Sequence, residues 1–111
     1  MSTVDKSKVI DFLEELSDEQ FQRSVWLASS GPEISSLTEA ICGLFDDSGL
    51  SIALDKGKMV FTEEIDDLLR GLGHALGAVE ESLPPARLII DPKMVSVREQ
   101  ATRLLHLIKS Q

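Results

Sequence analysis

The chain has 111 residues, of which 42% are hydrophobic and 27% charged, and its net charge at pH 7 is −8. This composition favours one globular domain, residues 1–111, over a disordered chain. The acidity argues against binding to nucleic acids or anionic membranes, since both require clusters of lysine and arginine. No apolar run approaches the roughly 18 residues of a membrane-spanning helix. The first residues lack a signal-peptide pattern, so we expect a cytoplasmic protein.

The acidic residues are distributed unevenly. Residues 1–55 contain 11 acidic and 3 basic residues, whereas residues 56–111 contain 8 of each. Uneven charge affects solubility and the choice of partner rather than the fold. Twelve of the 19 acidic residues form six adjacent pairs: Glu14-Glu15, Asp18-Glu19, Asp46-Asp47, Glu63-Glu64, Asp66-Asp67 and Glu80-Glu81.

Hydrophobic periodicity predicts two helices in the first third of the chain. The first covers about residues 5–16, where four apolar residues share one face: Val9, Phe12, Leu13 and Leu16. The pattern Ser17-x-x-Gln20 is typical of a capping box and predicts a second helix over about residues 18–28. A loop is expected to follow at Ser29–Pro32, because serine, glycine and proline end helices.

A second capping box, Ser36-x-x-Glu39, predicts a third helix over about residues 36–48. Gly49 is well suited to the position just past its end. Residues 50–61 are ambiguous. Two short apolar runs separated by a glycine fit a small β-hairpin, and they fit an irregular loop equally well.

Two further helices are predicted, over about residues 63–82 with Thr62 as cap and over about residues 92–109 with Asp91 as cap. The double proline at 84–85 is expected to stop the earlier one. Its apolar stripe is Ile65, Leu68, Leu69, Leu72, Leu76 and Val79; that of the last helix includes Met94, Val97, Ala101, Leu104 and Ile108. Five helices with short connections predict an all-α fold, an antiparallel helical bundle.

Residues that commonly carry catalysis are few. His74 and His106 are predicted to be exposed, and neither has a metal-binding residue one helical turn further on. Cys42 is interpreted as a small buried hydrophobic residue, because Asp46 one turn away disfavours the thiolate that a nucleophile needs. We therefore expect a protein that is not an enzyme and uses no cofactor or metal.

Three glycines, Gly71, Gly73 and Gly77, interrupt the fourth predicted helix, and each costs about 1 kcal/mol relative to alanine. Close approach of another helix against Gly73 and Gly77 would offset this cost. A functional bend is the alternative.

The patterns Asp11-x-x-Glu14, Glu63-x-x-Asp66 and Glu64-x-x-Asp67 each place two carboxylates one helical turn apart. Two such pairs on facing helices can hold Mg²⁺ between their oxygens. In this respect the chain resembles helical nucleotide pyrophosphohydrolases, which use Glu-x-x-Glu and Glu-x-x-Asp on neighbouring helices. The resemblance covers only these residues and implies a magnesium-dependent hydrolase as a less favoured alternative.

The acidic pairs are the stronger candidates for a partner-binding surface. Asp46 and Asp47 lie in a last helical turn, where acids oppose the helix dipole at about 0.3–1 kcal/mol each. They either serve a function or help to end the helix. Trp26 lies off the apolar face of its helix and is either an interface anchor or a lid on the core. The candidate partner-binding residues are Asp46, Asp47, Trp26, Glu14, Glu15, Asp18 and Glu19.

These features favour a small acidic protein-binding module that neutralises a basic partner, such as a toxin or nuclease, by electrostatic docking. In size, charge and helix content the chain is similar to the small acidic helical immunity proteins of bacterial toxin systems. The alternative is a homo-oligomeric scaffold assembled through residues 92–109. Residues 87–111 contain five bases and two acids, which would complement the acidic first half of another copy.

Overall fold

The computed structural model describes residues 4–27 and 36–110, and every regular element within them is helical. This confirms the all-α prediction, although these residues form more helical segments than the five expected. The antiparallel bundle stays a prediction. None of the described helices is long and apolar enough to cross a membrane. The elements are α1 (Lys6–Ser17), α2 (Glu19–Phe21), π1 (Gln22–Trp26), α3 (Leu37–Ile41), π2 (Cys42–Asp47), α4 (Leu50–Asp55), α5 (Glu63–Ala78), α6 (Pro85–Ile90) and α7 (Pro92–Lys109).

The last helix, α7, organises the core and packs mainly against α1 and α5. Each fully buried leucine or valine contributes about 1.5–3 kcal/mol relative to an exposed one, so these apolar faces supply much of the stability. The buried residues of α7 include the five predicted from the sequence, Met94, Val97, Ala101, Leu104 and Ile108. Facing them are Val9, Leu13 and Leu16 of α1 and Ile65, Leu69, Leu72 and Leu76 of α5.

Side-chain caps fix the starts of several helices, because a cap oxygen satisfies a backbone N–H that has no partner inside the helix. Ser36 accepts from the Glu39 amide at 3.2 Å. Thr62 accepts from the Ile65 amide at 3.1 Å. Asp91 caps α7 through the backbone N–H of Lys93. All three caps were predicted from the sequence and are confirmed.

The predicted cap of the second helix is wrong. Ser17 is still part of α1, and its hydroxyl donates to the carbonyl oxygen of Glu14 at 3.0 Å. Asp18 is the cap instead, because its backbone is extended and its carboxylate accepts from the Phe21 amide at 3.0 Å. The loop predicted at Ser29–Pro32 lies outside the described residues.

Residues 50–61 form no hairpin, which was one of the two alternatives, and their first half is a helix rather than the irregular loop that was the other. Gly49 has a left-handed backbone (φ 81°), which turns the chain out of π2 and directly into α4. Leu50 and Leu54 lie one helical turn apart and are both buried, so tertiary packing selects the helical period over strand-like alternation. Gly57 (φ 72°) then ends the segment.

The predicted end of the fourth helix is also wrong. It ends at Ala78, where Val79 becomes extended and turns its side chain into the core. The double proline at 84–85 therefore does not stop this helix. Pro85 instead occupies the first position of α6, where its fixed φ suits a helix start.

The close helix approach that the sequence assigned to Gly73 and Gly77 occurs at Gly43. A Cβ at Gly43 would overlap the ring of Phe12, so glycine is what allows α1 to pack onto π2. A Cβ at Gly77 would meet nothing within 4 Å. Periodicity within α5 carries no information about which neighbouring helix comes close to it.

Candidate partner-binding surface

The exposed side of α1 is acidic. Asp11, Glu14 and Asp18 are all exposed and follow one another at spacings of three and four, so they share one side of the helix and its cap. Glu19 and Asp67 form ion pairs with arginine side chains, whereas Asp11, Glu14 and Asp18 form none within the described residues. The three acids on α1 therefore keep their charge uncompensated by any ion pair within those residues.

Asp46 and Asp47 are exposed at the end of π2. The amide of Asp5 donates to the carbonyl oxygen of Ser48 at 2.9 Å, which joins the start of α1 to the end of π2. The start of α1, which is capped by the Asp5 carboxylate, therefore lies next to the end of π2. Because α1 is about 18 Å long at 1.5 Å per residue, Asp18 lies at the far end. The predicted acids thus lie on π2, α1 and the start of α2 rather than forming one cluster.

Glu15 and Glu19 have roles within the fold. The side chain of Glu19 pairs with Arg23 at 2.8 Å and lies 3.9 Å from Arg98. The hydrogen bond from Arg23, and then the charge of Arg98, lower the pKa of the Glu19 carboxyl below its usual value. Glu15 is half-buried, and its backbone carbonyl accepts a hydrogen bond from Gln22. These two acids are less available to a partner than Asp11 and Glu14. Asp18 is exposed, but one of its carboxylate oxygens accepts from the Phe21 amide as the cap of α2.

Trp26 is only 6% exposed, which favours the interpretation as a lid on the core over that as a surface anchor. It lines a small cavity of about 170 Å³ together with Leu37, Leu83 and Leu88. Its indole N–H has no hydrogen-bond partner among the described residues. A buried ring offers little area to a docking protein.

Both π-helical segments end at candidate residues, π1 at Trp26 and π2 at Asp47. Such segments are rare and occur often at functional sites. The wider turns also change which side chains face inward. Cys42, predicted to be buried, is exposed at the start of π2. His74 and His106 are exposed, as the sequence predicted.

The carboxylate of Asp66 serves the backbone. It is 3% exposed and accepts from the amides of Val60 at 2.8 Å and Phe61 at 3.1 Å, which fixes the loop before α5. The hydrolase alternative therefore loses one of its three carboxylate pairs, because Asp66 does not face solvent beside Glu63. Of the other pair on α5, Glu64 and Asp67 are both exposed, and Asp67 forms an ion pair with Arg70. Within residues 4–27 and 36–110, no group of three or more histidine, cysteine, aspartate or glutamate side chains is placed to hold a metal ion.

Sequence reasoning missed a buried polar pair. Gln22 is fully buried and accepts from the Arg98 guanidinium at 2.8 Å. A signal was present, since Arg98 lies at core spacing between Met94 and Ala101 on α7. The role of this pair is to join helices, so it lies outside the candidate surface.

Two grooves flank these elements. The first, of about 490 Å³, lies between π2, α4 and α5 and includes Phe45, Gly73 and Gly77 in its lining. The second, of about 830 Å³, runs along α7 and is bordered by Arg103 and Lys109. The first groove is thus shared between the first half of the chain and α5, and the second lies along the basic last helix.

In comparisons with protein-family models, with curated proteins and with solved structures, no match to this chain was found.

Proposed function

We propose that this protein is a small binding module that docks a basic protein by electrostatic attraction. The observation that carries the proposal is the acidic side of α1, where Asp11, Glu14 and Asp18 are exposed and take part in no ion pair within the described residues. Like charges at such spacings cost a helix about 0.2–0.5 kcal/mol per pair. Their negative potential steers a cationic partner and raises its association rate.

Asp46 and Asp47 extend this surface beyond the start of α1, through the hydrogen bond between Asp5 and Ser48. A basic toxin or nuclease is the favoured class of partner, by similarity in size, charge and helix content to immunity proteins. We place the action of the protein in the cytoplasm. Trp26 is not part of the proposed surface, because it is buried.

The test is the affinity of a purified partner, first captured from host lysate, for three versions of the chain at low and high salt. These are the unaltered protein, Asp46→Asn with Asp47→Asn, and the matched control Glu63→Gln with Glu64→Gln. The control removes the same charge from exposed positions on α5.

We expect the aspartate variant to bind on the order of tenfold more weakly at low salt, the control to bind nearly normally, and high salt to weaken all three. Unfolding by urea should show no loss of stability in the aspartate variant. An equal loss of affinity in both variants, or salt-independent binding, would overturn the proposal. Lower stability of the aspartate variant would show that the pair is structural.

A second candidate function is a homo-oligomeric scaffold. The groove along α7 favours it, because Arg103 and Lys109 at its border complement the acidic side of α1 in another copy. Arg98 contributes less than these two bases to the positive charge of the groove, since its guanidinium is buried and turned inward. Light scattering across a hundredfold range of concentration decides the question, because a monomer at every concentration removes this candidate.

A further inference from the structure

Gly73 and Gly77 lie one helical turn apart on α5, and both line the groove between π2, α4 and α5. A Cβ at Gly77 would meet no atom within 4 Å, and one at Gly73 would make an ordinary contact with the Phe45 ring at 3.4 Å. Alanine would favour the helix by about 1 kcal/mol at each position. Packing within the described residues therefore does not account for these two glycines.

The floor of this groove is apolar. Leu54 and Leu76 close it from below, while Ile41 and Phe45 are half-buried and keep part of their surface exposed. A volume of about 490 Å³ is within the usual range for a binding pocket, about 300–1,000 Å³. Because Gly73 and Gly77 have no side chains, the backbone of α5 is accessible from the groove.

The rim of the groove is negative. Asp55 and Glu81 are exposed at its border. Arg70 also lines the groove, but its guanidinium donates to Asp67 at 3.0 Å and to the carbonyl oxygen of Leu54 at 3.2 Å. With the charge of Arg70 engaged, the two acids complement lysine or arginine on an occupant.

An amphipathic helix fits these features best. Glycines one turn apart let another backbone come close, an apolar floor receives residues at i, i+3, i+4 and i+7, and acids on the rim meet flanking bases. A second copy of this chain is a poorer occupant. Its basic helix, α7, already buries its apolar face in the core of its own copy.

We propose that the groove lined by Gly73, Gly77 and Phe45 receives a basic amphipathic helix of the partner protein. The proposal rests on the proposed function, because the partner is the same basic protein. It adds the site and the structural form of the segment that docks. The acidic side of α1 would then steer the partner, and the groove would hold it.

The probe is a synthetic 18-residue Leu/Lys amphipathic helical peptide, with a Leu/Glu peptide of the same pattern as its counterpart. Gly77→Leu places a large side chain in the groove at a position where a Cβ meets no atom within 4 Å. Gly71→Leu is the matched control, because Gly71 lies on the same helix, also faces open space and does not line the groove. Asp55→Asn with Glu81→Gln tests the rim by a substitution that leaves α5 unaltered.

We expect Gly77→Leu to lose at least tenfold in affinity for the Leu/Lys peptide in fluorescence anisotropy, and Gly71→Leu to bind like the unaltered chain. The Leu/Glu peptide should not bind. In ¹H–¹⁵N spectra, the peptide should shift the amide signals of Gly73 and Gly77 more than that of Gly71. Unchanged affinity of Gly77→Leu, or equal binding of the two peptides, would overturn the groove proposal.

The two proposals fail separately. If Asp46→Asn with Asp47→Asn weakens the binding of the partner protein while Gly77→Leu leaves it unchanged, the groove proposal is wrong and the binding-module function stands. If the purified partner binds every variant equally at both salt concentrations, the proposed function itself is wrong.

Discussion

The guanidinium of Arg98 donates to the side-chain oxygen of Gln22 at 2.8 Å, and both residues are buried although 76 positions separate them. The amide nitrogen of Gln22 donates in turn to the carbonyl oxygens of Glu15 and Leu16, both at 3.0 Å. The second terminal nitrogen of Arg98 donates to the carbonyl of Ile89 at 2.7 Å. Two side chains thus satisfy carbonyls at the ends of α1 and α6 and join π1 to α7.

We expect Gln22→Leu to lower the free energy of unfolding by about 3 kcal/mol, because it leaves a buried charged N–H of Arg98 without its acceptor and removes the side-chain donor to the carbonyls of Glu15 and Leu16. Arg98→Met should cost a similar amount. Urea unfolding of the double variant should show a coupling of about 1–3 kcal/mol between the two sites. Arg103→Met, an exposed base on the same helix, is the control and should change stability by less than about 0.5 kcal/mol. Strict additivity of the two single changes would contradict the pairing.

Gly43→Ala tests the contact between α1 and π2. The added methyl would overlap the ring of Phe12, so we expect a loss of about 1–3 kcal/mol from overpacking. The control is Gly71→Ala, which faces open space and should raise stability by up to about 1 kcal/mol. Thermal unfolding of both variants gives the comparison. A stabilised Gly43→Ala would show that the ring of Phe12 moves aside without cost.

The sequence predicted correctly those features of the fold that depend on residues close together in the chain. The caps at Ser36, Thr62 and Asp91 and the buried stripe of α7 follow from side chains within a few residues of one another. Residues 50–55 were not assigned correctly, because alternation at Leu50, Ile52 and Leu54 also fits a strand. The segment is helical because a helix buries both leucines in the surrounding core and leaves Ile52 exposed.

The features of the candidate surface were likewise predictable from the sequence only where they depend on neighbouring residues. The exposure of Asp46, Asp47 and Glu14 was predictable, since acids opposite an apolar stripe face solvent. The burial of Trp26 was not, because it depends on α6 and on Leu37, which are distant in sequence. The groove lies at the meeting of π2, α4 and α5, and no periodicity within one helix encodes that arrangement.

Asp66→Ala tests how the loop before α5 is held. It removes a buried carboxylate that accepts from the amides of Val60 and Phe61, and hydrogen bonds to charged groups contribute about 1.5–3 kcal/mol each. We expect a loss of about 3 kcal/mol in urea unfolding and faster hydrogen exchange at those two amides. Asp67→Ala is the matched control, because it breaks only an exposed ion pair with Arg70, which contributes about 0–1 kcal/mol. Equal losses in the two variants would contradict this role of Asp66.

The ion pairing of Glu19 predicts that the stability of the folded chain depends on pH in the acid range. Arg23, by its hydrogen bond, and then Arg98, by its charge, hold the pKa of this carboxyl below 4.5 in the folded chain. The unfolded chain binds the proton first as the pH falls, so the stabilisation is fully present above the unfolded pKa and is lost as the pH falls through the folded one. As the pH falls through the acid range in which the carboxyl of Glu19 takes up its proton, Glu19→Gln should therefore lose less stability than the unaltered chain.

Chemical denaturation at a series of pH values measures this difference, and carbon-detected titration of the Glu19 carboxyl measures its pKa directly. Arg23→Met removes the largest cause of the lowered pKa and is the matched control. It should move the pKa of Glu19 upward and flatten the acid limb of the stability curve in the same direction as Glu19→Gln. An acid limb identical in all three proteins would show that Glu19 is no more strongly held in the folded chain than in the unfolded one.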